Sequence, residues 1–224
     1  MCGRFAITLP PDAMAQLFRA APANDLPPVP NYNVCPTNQV HVIARTDGAR
    51  RLSAMRWGFL PHWYKAPNDG PLLINARAET IAQKPAFRAA CRERRCLIPA
   101  SGFYEWTKDA DGNRLPWYIR HADASPMAFA GIWQVWDKGE SPLTTCAIVT
   151  TASSGGVQSI HHRMPVTIAQ PDWPLWLGEA GKGAARLIQS ADGARFEFFR
   201  VDPAVNSNRA QGAELIQAAL VDRI

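Results

Sequence analysis

The feature that most constrains the fold is a series of short strand-forming runs in the second half of the chain. The runs are rich in β-branched and aromatic residues, and turn residues separate them. Residues 109–112 are typical of a hairpin turn. Strands that follow one another this closely favour antiparallel pairing. The runs span residues 96–99, 102–106, 116–120, 127–133 and 144–151.

The remainder of the chain predicts fewer strands and a small number of helices. Residues 26–36, with four prolines, are expected to form an ordered loop. The pattern as a whole predicts one α+β domain over residues 1–224. Its core is a largely antiparallel, partly closed, barrel-like β-sheet with peripheral helices. Further strands are predicted over 39–44, 52–59 and 194–201, and helices over 10–18, 75–94, 171–177 and 184–190. Pro85 must interrupt or restart the helix over 75–94.

Composition narrows the class of protein. Hydrophobic residues make up 47% of the 224 residues, enough for a substantial core. The formal net charge of +5 favours polyanionic partners such as nucleic acids, although charge alone does not establish one. The sequence shows no signal peptide, no membrane-spanning run and no disulfide framework, so we expect a cytoplasmic monomer that contacts no membrane. Cys91 and Cys96 lack a second ligand pair, and we expect no metal and no cofactor.

Position 2 is the most unusual point in the sequence. Methionine removal is usual before a small residue, and it would leave Cys2 with a free α-amine beside its thiol. Such a 1,2-aminothiol condenses with an aldehyde, first to a Schiff base and then to a thiazolidine ring. An α-amine with a pKa near ~8 is partly neutral at neutral pH. The alternative is an ordinary cysteine near a frayed terminus.

Eight ordered motifs along most of the chain resemble the SRAP (SOS response-associated peptidase) domain family. Cys35 stands where that pattern leads us to expect alanine. The motifs are Met-Cys-Gly-Arg-Phe at 1–5, Tyr-Asn-Val-Cys-Pro-Thr at 32–37, Arg-Trp-Gly-Phe-Leu-Pro-His-Trp at 56–63, Ile-Asn-Ala-Arg-Ala-Glu-Thr at 74–80, Pro-Ala-Ser-Gly-Phe-Tyr-Glu-Trp at 99–106, Thr-Thr-Ala at 150–152, Ile-His-His-Arg-Met-Pro at 160–165, and Gln-Gly-Ala-Glu-Leu-Ile at 211–216.

The resemblance implies four catalytic residues, with Cys2 as the nucleophile. Glu105 would move protons, although alternation along its strand also suits a surface glutamate. His161 would be the second acid or base and would act on the deoxyribose ring of the DNA substrate. Its neighbour His162 is the competing candidate for this role. Asn75 would hold the Cys2 amine or a sugar hydroxyl, and a helix N-cap is its alternative role.

The resemblance also implies a surface for single-stranded DNA. Arg4, Arg77 and Arg163 would bind phosphates on either side of a DNA lesion, an abasic site. Trp63 and Tyr64 would stack on flanking bases, although a tryptophan in such a motif also suits a core position. The basic run between Lys84 and Arg95 is interpreted first as a solvated helix face.

Three functions follow from these residues. The first, implied by the resemblance, is an abasic-site processing enzyme that crosslinks to the ring-opened abasic aldehyde in single-stranded DNA through Cys2 and shields the lesion on nucleoid DNA. Lyase activity and reversal of the crosslink are further activities to test. The second is a cysteine peptidase that uses Cys2 and His161 with Glu105 or Asn75. The third is a non-catalytic DNA-binding module, which gives no reason for Cys2.

Overall fold

The structure is a computed structural model, and it describes residues 2–188 and 195–219. Short 3-10 helices connect several of its elements. The strands are β1 (Phe5–Ile7), β2 (Ala21–Pro22), β3 (Asn31–Val34), β4 (Gln39–Thr46), β5 (Ala49–Trp57), β6 (Asn75–Arg77), β7 (Arg95–Ala100), β8 (Gly102–Lys108), β9 (Arg114–His121), β10 (Met127–Trp136), β11 (Leu143–Ala152), β12 (Arg163–Pro165) and β13 (Phe196–Arg200), and the α-helices are α1 (Pro11–Phe18), α2 (Arg88–Glu93) and α3 (Trp173–Trp176).

Five strands form a ring at the centre of the molecule. Antiparallel pairs run in the order β11, β10, β7, β4 and β5. A short parallel pairing between β11 and β5, with Thr145 opposite Arg56 and Cys146 opposite Trp57, closes the ring. β12 pairs antiparallel and β6 pairs parallel with β11. The predicted α+β fold with a largely antiparallel, partly closed sheet is confirmed.

A second antiparallel sheet carries the N-terminal strand. Its order is β13, β9, β8, β1 and β3, and Phe5 of β1 lies opposite Phe103 of β8. The side chain of Phe5 packs edge-on against Trp57 of the ring at a centroid distance of 5.2 Å. Because Phe5, Trp57 and Phe103 are all buried, the main hydrophobic core between the two sheets fixes β1 in place through Phe5.

The predicted helix over 75–94 is wrong for most of its length. Asn75–Arg77 forms a strand that pairs with β11, and only Arg88–Glu93 is α-helical. Helix-forming side chains favour a helix here, but hydrogen bonding to a buried neighbouring strand overrides that local preference. Asn75 is therefore not a helix N-cap. The predicted loop over 26–36 also contains a strand, Asn31–Val34, at the edge of the second sheet.

The other predicted elements agree in place and differ in length. The strand runs of the second half all form, and helix 10–18 is Pro11–Phe18. The predicted helix over 171–177 is reduced to Trp173–Trp176, and that over 184–190 is a 3-10 turn at Ala184–Leu187. Residues 189–190 of the predicted helix over 184–190 lie outside the described residues. The same is true of residue 194, the first of the last predicted strand.

Two structural features bear on the class of protein. No helix within residues 2–188 and 195–219 is long and apolar enough to cross a bilayer. The same residues contain no cluster of three or more His, Cys, Asp or Glu side chains suited to a metal ion.

Gly102, at the start of β8, is required by close packing. A Cβ atom there would overlap the ring of Tyr118 and would lie 2.7 Å from the carbonyl oxygen of Ile119. We expect Gly102→Ala to lower the free energy of unfolding by roughly 2 kcal/mol, the usual cost of overpacking, as measured by urea denaturation. Gly131→Ala is the matched control, because the three atoms nearest to its Cβ would all belong to the side chains of Cys96 and Ile98 and none to the backbone. Equal losses of stability in the two variants would contradict this role for Gly102.

Candidate active site

The N-terminal segment reaches the site by pairing with β8. Beyond β1 the pairing continues, since the backbone N–H of Tyr104 donates to the carbonyl of Arg4 at 3.0 Å. Glu105 of β8 lies near enough to Cys2 for its carboxylate to act electrostatically on the thiol. Cys2 is completely buried in this arrangement and belongs to the main core. Met1 lies outside the described residues.

Asn75 anchors the backbone of Cys2 from the opposite sheet. β6 holds Asn75 opposite Ile148 of β11. Its side-chain Nδ2 donates to the Cys2 carbonyl oxygen at 2.8 Å. The Oδ1 atom of the same amide is buried and accepts no hydrogen bond from the described residues. A buried acceptor in this state can receive a donor from a ligand or from the Cys2 amine.

Glu105 is a buried carboxylate on β8. It is only 3% exposed, which excludes the alternative of a surface glutamate. Tyr104 before it packs into a separate cluster on the other side of the strand, as the alternation of the sequence predicts. Burial raises the pKa of the Glu105 carboxyl above its ordinary value, so the group holds a proton to higher pH than an exposed glutamate.

His161, in the turn before β12, faces Glu105. Its Nδ1 atom lies 3.8 Å from Oε1 of Glu105. The same Nδ1 lies 3.0 Å from the backbone nitrogen of Arg163 and 3.1 Å from the carbonyl oxygen of that residue, so the tautomer of the ring decides which of the two contacts is a hydrogen bond. Burial lowers the pKa of His161 and favours the neutral ring. His161 is the histidine with a ring nitrogen within 4 Å of the carboxylate, while the exposed His162 stacks on its ring at a centroid distance of 4.4 Å and also interacts electrostatically with Glu105.

The Cys2 thiol is strongly held in its neutral form. Burial is the largest cause that raises its pKa, and the nearby Glu105 carboxylate adds to the effect by repelling a thiolate. The thiol would therefore react by giving its proton to a neighbouring base as its sulfur forms a bond.

The three predicted phosphate-binding arginines differ in their surroundings. Arg4 donates to Oδ1 of Asn33 at 2.7 Å and to the carbonyl of Val205 at 2.9 Å, so it ties β1 to the C-terminal segment. Arg163 forms a two-pronged ion pair with Glu79, at 2.6 and 3.0 Å. Arg77 is exposed. Of the three, Arg77 is the one presented most openly to solvent.

The two predicted stacking residues also differ. Trp63 is 47% exposed, which suits a platform for a base and argues against a core role. Tyr64 is 7% exposed and packs with Leu60 and Trp136, and its hydroxyl donates to the carbonyl of Pro71. The Tyr64 ring thus packs beneath the loop that follows β5 and exposes little of its surface to a ligand.

Sequence reasoning missed two residues that organise the site. Glu79 neutralises Arg163, and Asn33 joins Arg4 to the carbonyls of Ser207 and Ala210. Both stand inside motifs that carry the family resemblance. Their polar side chains were signals that could have been followed, but their partners are 84 residues away for Glu79 and 29 or more for Asn33.

Comparison with known proteins gives one consistent answer. The model of the SOS response associated peptidase (SRAP) family matches residues 1–208. The chain is 34% identical over 225 residues to the abasic site processing protein YoqW of Bacillus subtilis, covering 97% of this chain and all of YoqW. It is 32% identical to the abasic site processing protein YedK of Escherichia coli, with 97% and 99% covered.

More distant relatives agree. The abasic site processing protein HMCES of Rattus norvegicus is 30% identical over 274 residues, which cover 98% of this chain and 76% of HMCES. A crystal structure of a Bacteroides thetaiotaomicron protein has the same fold, with a TM-score of 0.84, 24% identity, and 98% and 100% of the two chains covered. The chain therefore belongs to the SRAP, or SOS response associated peptidase, family.

Proposed function

We propose that this protein processes abasic sites in single-stranded DNA by forming a thiazolidine crosslink between Cys2 and the ring-opened sugar. One observation carries the proposal. The buried N-terminal cysteine is held by Asn75 and lies beside a buried carboxylate that faces an imidazole. The relatives named as abasic site processing proteins, aligned over nearly the whole chain, support the same substrate.

The chemistry requires both functional groups of Cys2. After removal of Met1, the α-amine attacks the aldehyde carbon of the open sugar, and loss of water gives an imine. The thiol sulfur then bonds to the imine carbon, and its proton is passed to the nitrogen. The five-membered ring contains the former amine and thiol, and the overall reaction releases one water molecule.

The neighbouring side chains supply the proton transfers. Glu105, with its raised pKa, would first give a proton to the departing hydroxyl of the carbinolamine, which leaves as water. The resulting carboxylate would then take the proton of the Cys2 thiol, whose pKa is too high for it to ionise unaided. His161, 3.8 Å from Glu105, would in its neutral form take the proton of the sugar's C1 hydroxyl and deliver it to the ring oxygen as the C1–O bond breaks, which exposes the aldehyde.

The DNA would approach from the face that presents Arg77 and Trp63. Arg77 would bind a phosphate beside the lesion, and Trp63 would stack on a base. Arg4 and Arg163 would contribute positive potential from within their present contacts, or bind phosphate directly after releasing Asn33 or Glu79. We further propose that a single domain over 1–224 carries out the reaction, as a cytoplasmic monomer on nucleoid DNA and without a cofactor.

The two other functions are less well supported by the geometry. A peptidase cysteine needs a thiolate, which arises where the thiol pKa is lowered, whereas burial and Glu105 raise the pKa of Cys2. A plain DNA-binding module gives no role to a buried cluster of thiol, amide, carboxylate and imidazole. Lyase activity and reversal of the crosslink would use the same Glu105 and His161.

The test uses single-stranded DNA that carries one abasic site. We expect a complex that survives a denaturing gel, with the summed mass of protein and DNA less one water. Two control strands are an intact oligonucleotide and one whose abasic aldehyde has been reduced to an alcohol, and neither should give the band. A band with the reduced strand, or no band from protein shown to lack Met1, would overturn the proposal.

A further inference from the structure

An open groove of about 600 Å³ lies outside the cluster around Cys2. It runs between the loop that follows β5, the start of α2 and the outer face of β10. We call it the tryptophan groove and define it by His62, Trp63, Arg88, Arg94, Trp133 and Val135.

The tryptophans in this groove differ from all the others in the protein. The chain has eight tryptophans, and six donate their indole N–H to a protein acceptor. Trp63 and Trp133 make no such bond within the described residues, and both line the groove. A partly buried tryptophan usually satisfies its N–H, so these two retain a donor for a ligand. Trp63 is also 47% exposed, and Val135 is 48% exposed.

The charges of the groove select an anionic ligand. Arg88 and Arg94 line it, and no Asp or Glu is among the described residues that do so. Arg88 is exposed on the first turn of α2. The Nε atom of Arg94 is buried and donates to no described residue, while its NH1 reaches Glu93 at 3.2 Å. Arginine beside aromatic faces suits a ligand with a planar ring and a phosphate.

The strand register places the groove near the reacting cysteine. Trp133 of β10 lies opposite Cys146 of β11, and Asn75 of β6 lies opposite Ile148 of β11. Two strand spacings and two residues along β11 separate Trp133 from Asn75, a backbone distance of roughly 12 Å. That distance lies within the reach of nucleotides close to a lesion held at Cys2.

We propose that the tryptophan groove binds an unpaired nucleotide of the strand that carries the lesion. Its base would contact Trp63 and Trp133, and its phosphate would be bound by Arg88 and Arg94. This inference rests on the proposed function for the identity of the strand. The site would add affinity for flanking single-stranded DNA and would favour lesions with unpaired neighbours.

The test measures affinity for lesion-free DNA, so that its outcome does not depend on crosslinking. Fluorescence anisotropy of a labelled oligothymidylate is compared for the wild type, Arg88→Ala and Trp133→Ala. We expect affinity to fall about tenfold in Trp133→Ala, as when one base is no longer stacked. In Arg88→Ala the slope of log affinity against log salt should become less negative by about 0.7, the value for one phosphate of a single strand that is no longer neutralised.

Two controls separate this site from general effects. Arg51→Ala removes the same charge from an exposed position of β5, and should leave affinity near that of the wild type. Trp133→Phe keeps an aromatic face and should restore most of the affinity, which would exclude misfolding as the cause. Equal affinities in Arg88→Ala, Trp133→Ala and Arg51→Ala would overturn the proposal. Failure of the wild type to crosslink would instead overturn the proposed function, while the anisotropy result would still decide the groove.

Discussion

Replacing Cys2 with alanine is expected to eliminate the stable complex with abasic DNA. The variant keeps an α-amine at the same place, so it can still form an imine with the aldehyde. It has no thiol to close the ring, and the imine hydrolyses when the protein is denatured. On a denaturing gel the crosslinked fraction should fall from most of the DNA to background. The fold should be unaffected, because alanine differs from cysteine at this buried site by one sulfur atom.

Trapping with borohydride distinguishes a crosslink formed by the amine alone from one that also needs the thiol. Borohydride reduces an imine to a stable amine, so it should restore a crosslink to Cys2→Ala and should not be needed by the wild type. Cys35→Ala is the matched control, since Cys35 is a half-buried thiol close to Arg4 and should be dispensable. A thiazolidine cannot be the product if Cys2→Ala crosslinks as fully as the wild type without borohydride. Mass spectrometry of each protein would establish that Met1 has been removed.

The sequence predicted the fold well wherever a strand has a clear boundary. The runs from residue 96 to 151 have turn residues between them, so their pairing partners follow almost directly from chain order. The helix predicted over residues 75–94 was wrong for most of its length, and the reason is physical. Its composition favours a helix, but Asn75–Arg77 lies against the buried strand β11, and the parallel pairing decides its conformation.

The candidate site, like the fold, could be predicted from the sequence only in part. Position and chemistry drew attention to Cys2 but did not separate it from an ordinary cysteine near a terminus, and its role, like those of Glu105 and His161, needed the family resemblance. No local pattern indicates that Glu79 neutralises Arg163, or that Asn33 ties Arg4 to the C-terminal segment. These contacts join residues far apart in the chain. Tyr64 shows the converse, because it follows an exposed tryptophan in sequence and yet its ring is buried.

Glu105→Gln is expected to slow crosslinking on the order of 100-fold, within the usual contribution of general acid–base catalysis. Glutamine keeps the size and hydrogen-bonding capacity of the carboxyl but cannot accept the proton of Cys2. In the wild type the rate should rise with pH as the carboxyl, whose pKa is raised by burial, becomes ionised. The variant should lose this rise and keep only the one at higher pH that accompanies loss of the proton from the α-amine. Glu140→Gln makes the same change in an exposed turn and should behave as the wild type.

The same substitution should increase stability, which separates a catalytic role from a structural one. The folded-state pKa of Glu105 is raised above the ordinary 4.5. Between these two values the folded protein binds a proton that the unfolded chain does not, so the free energy of unfolding falls as pH rises through that interval. Glutamine has no such titration. Glu105→Gln should therefore gain thermal stability relative to the wild type as pH increases from 4.5 to neutrality, with little difference below that range. A variant that is slow and also less stable at neutral pH would indicate that Glu105 holds the site together, and would leave the proton transfer to His161.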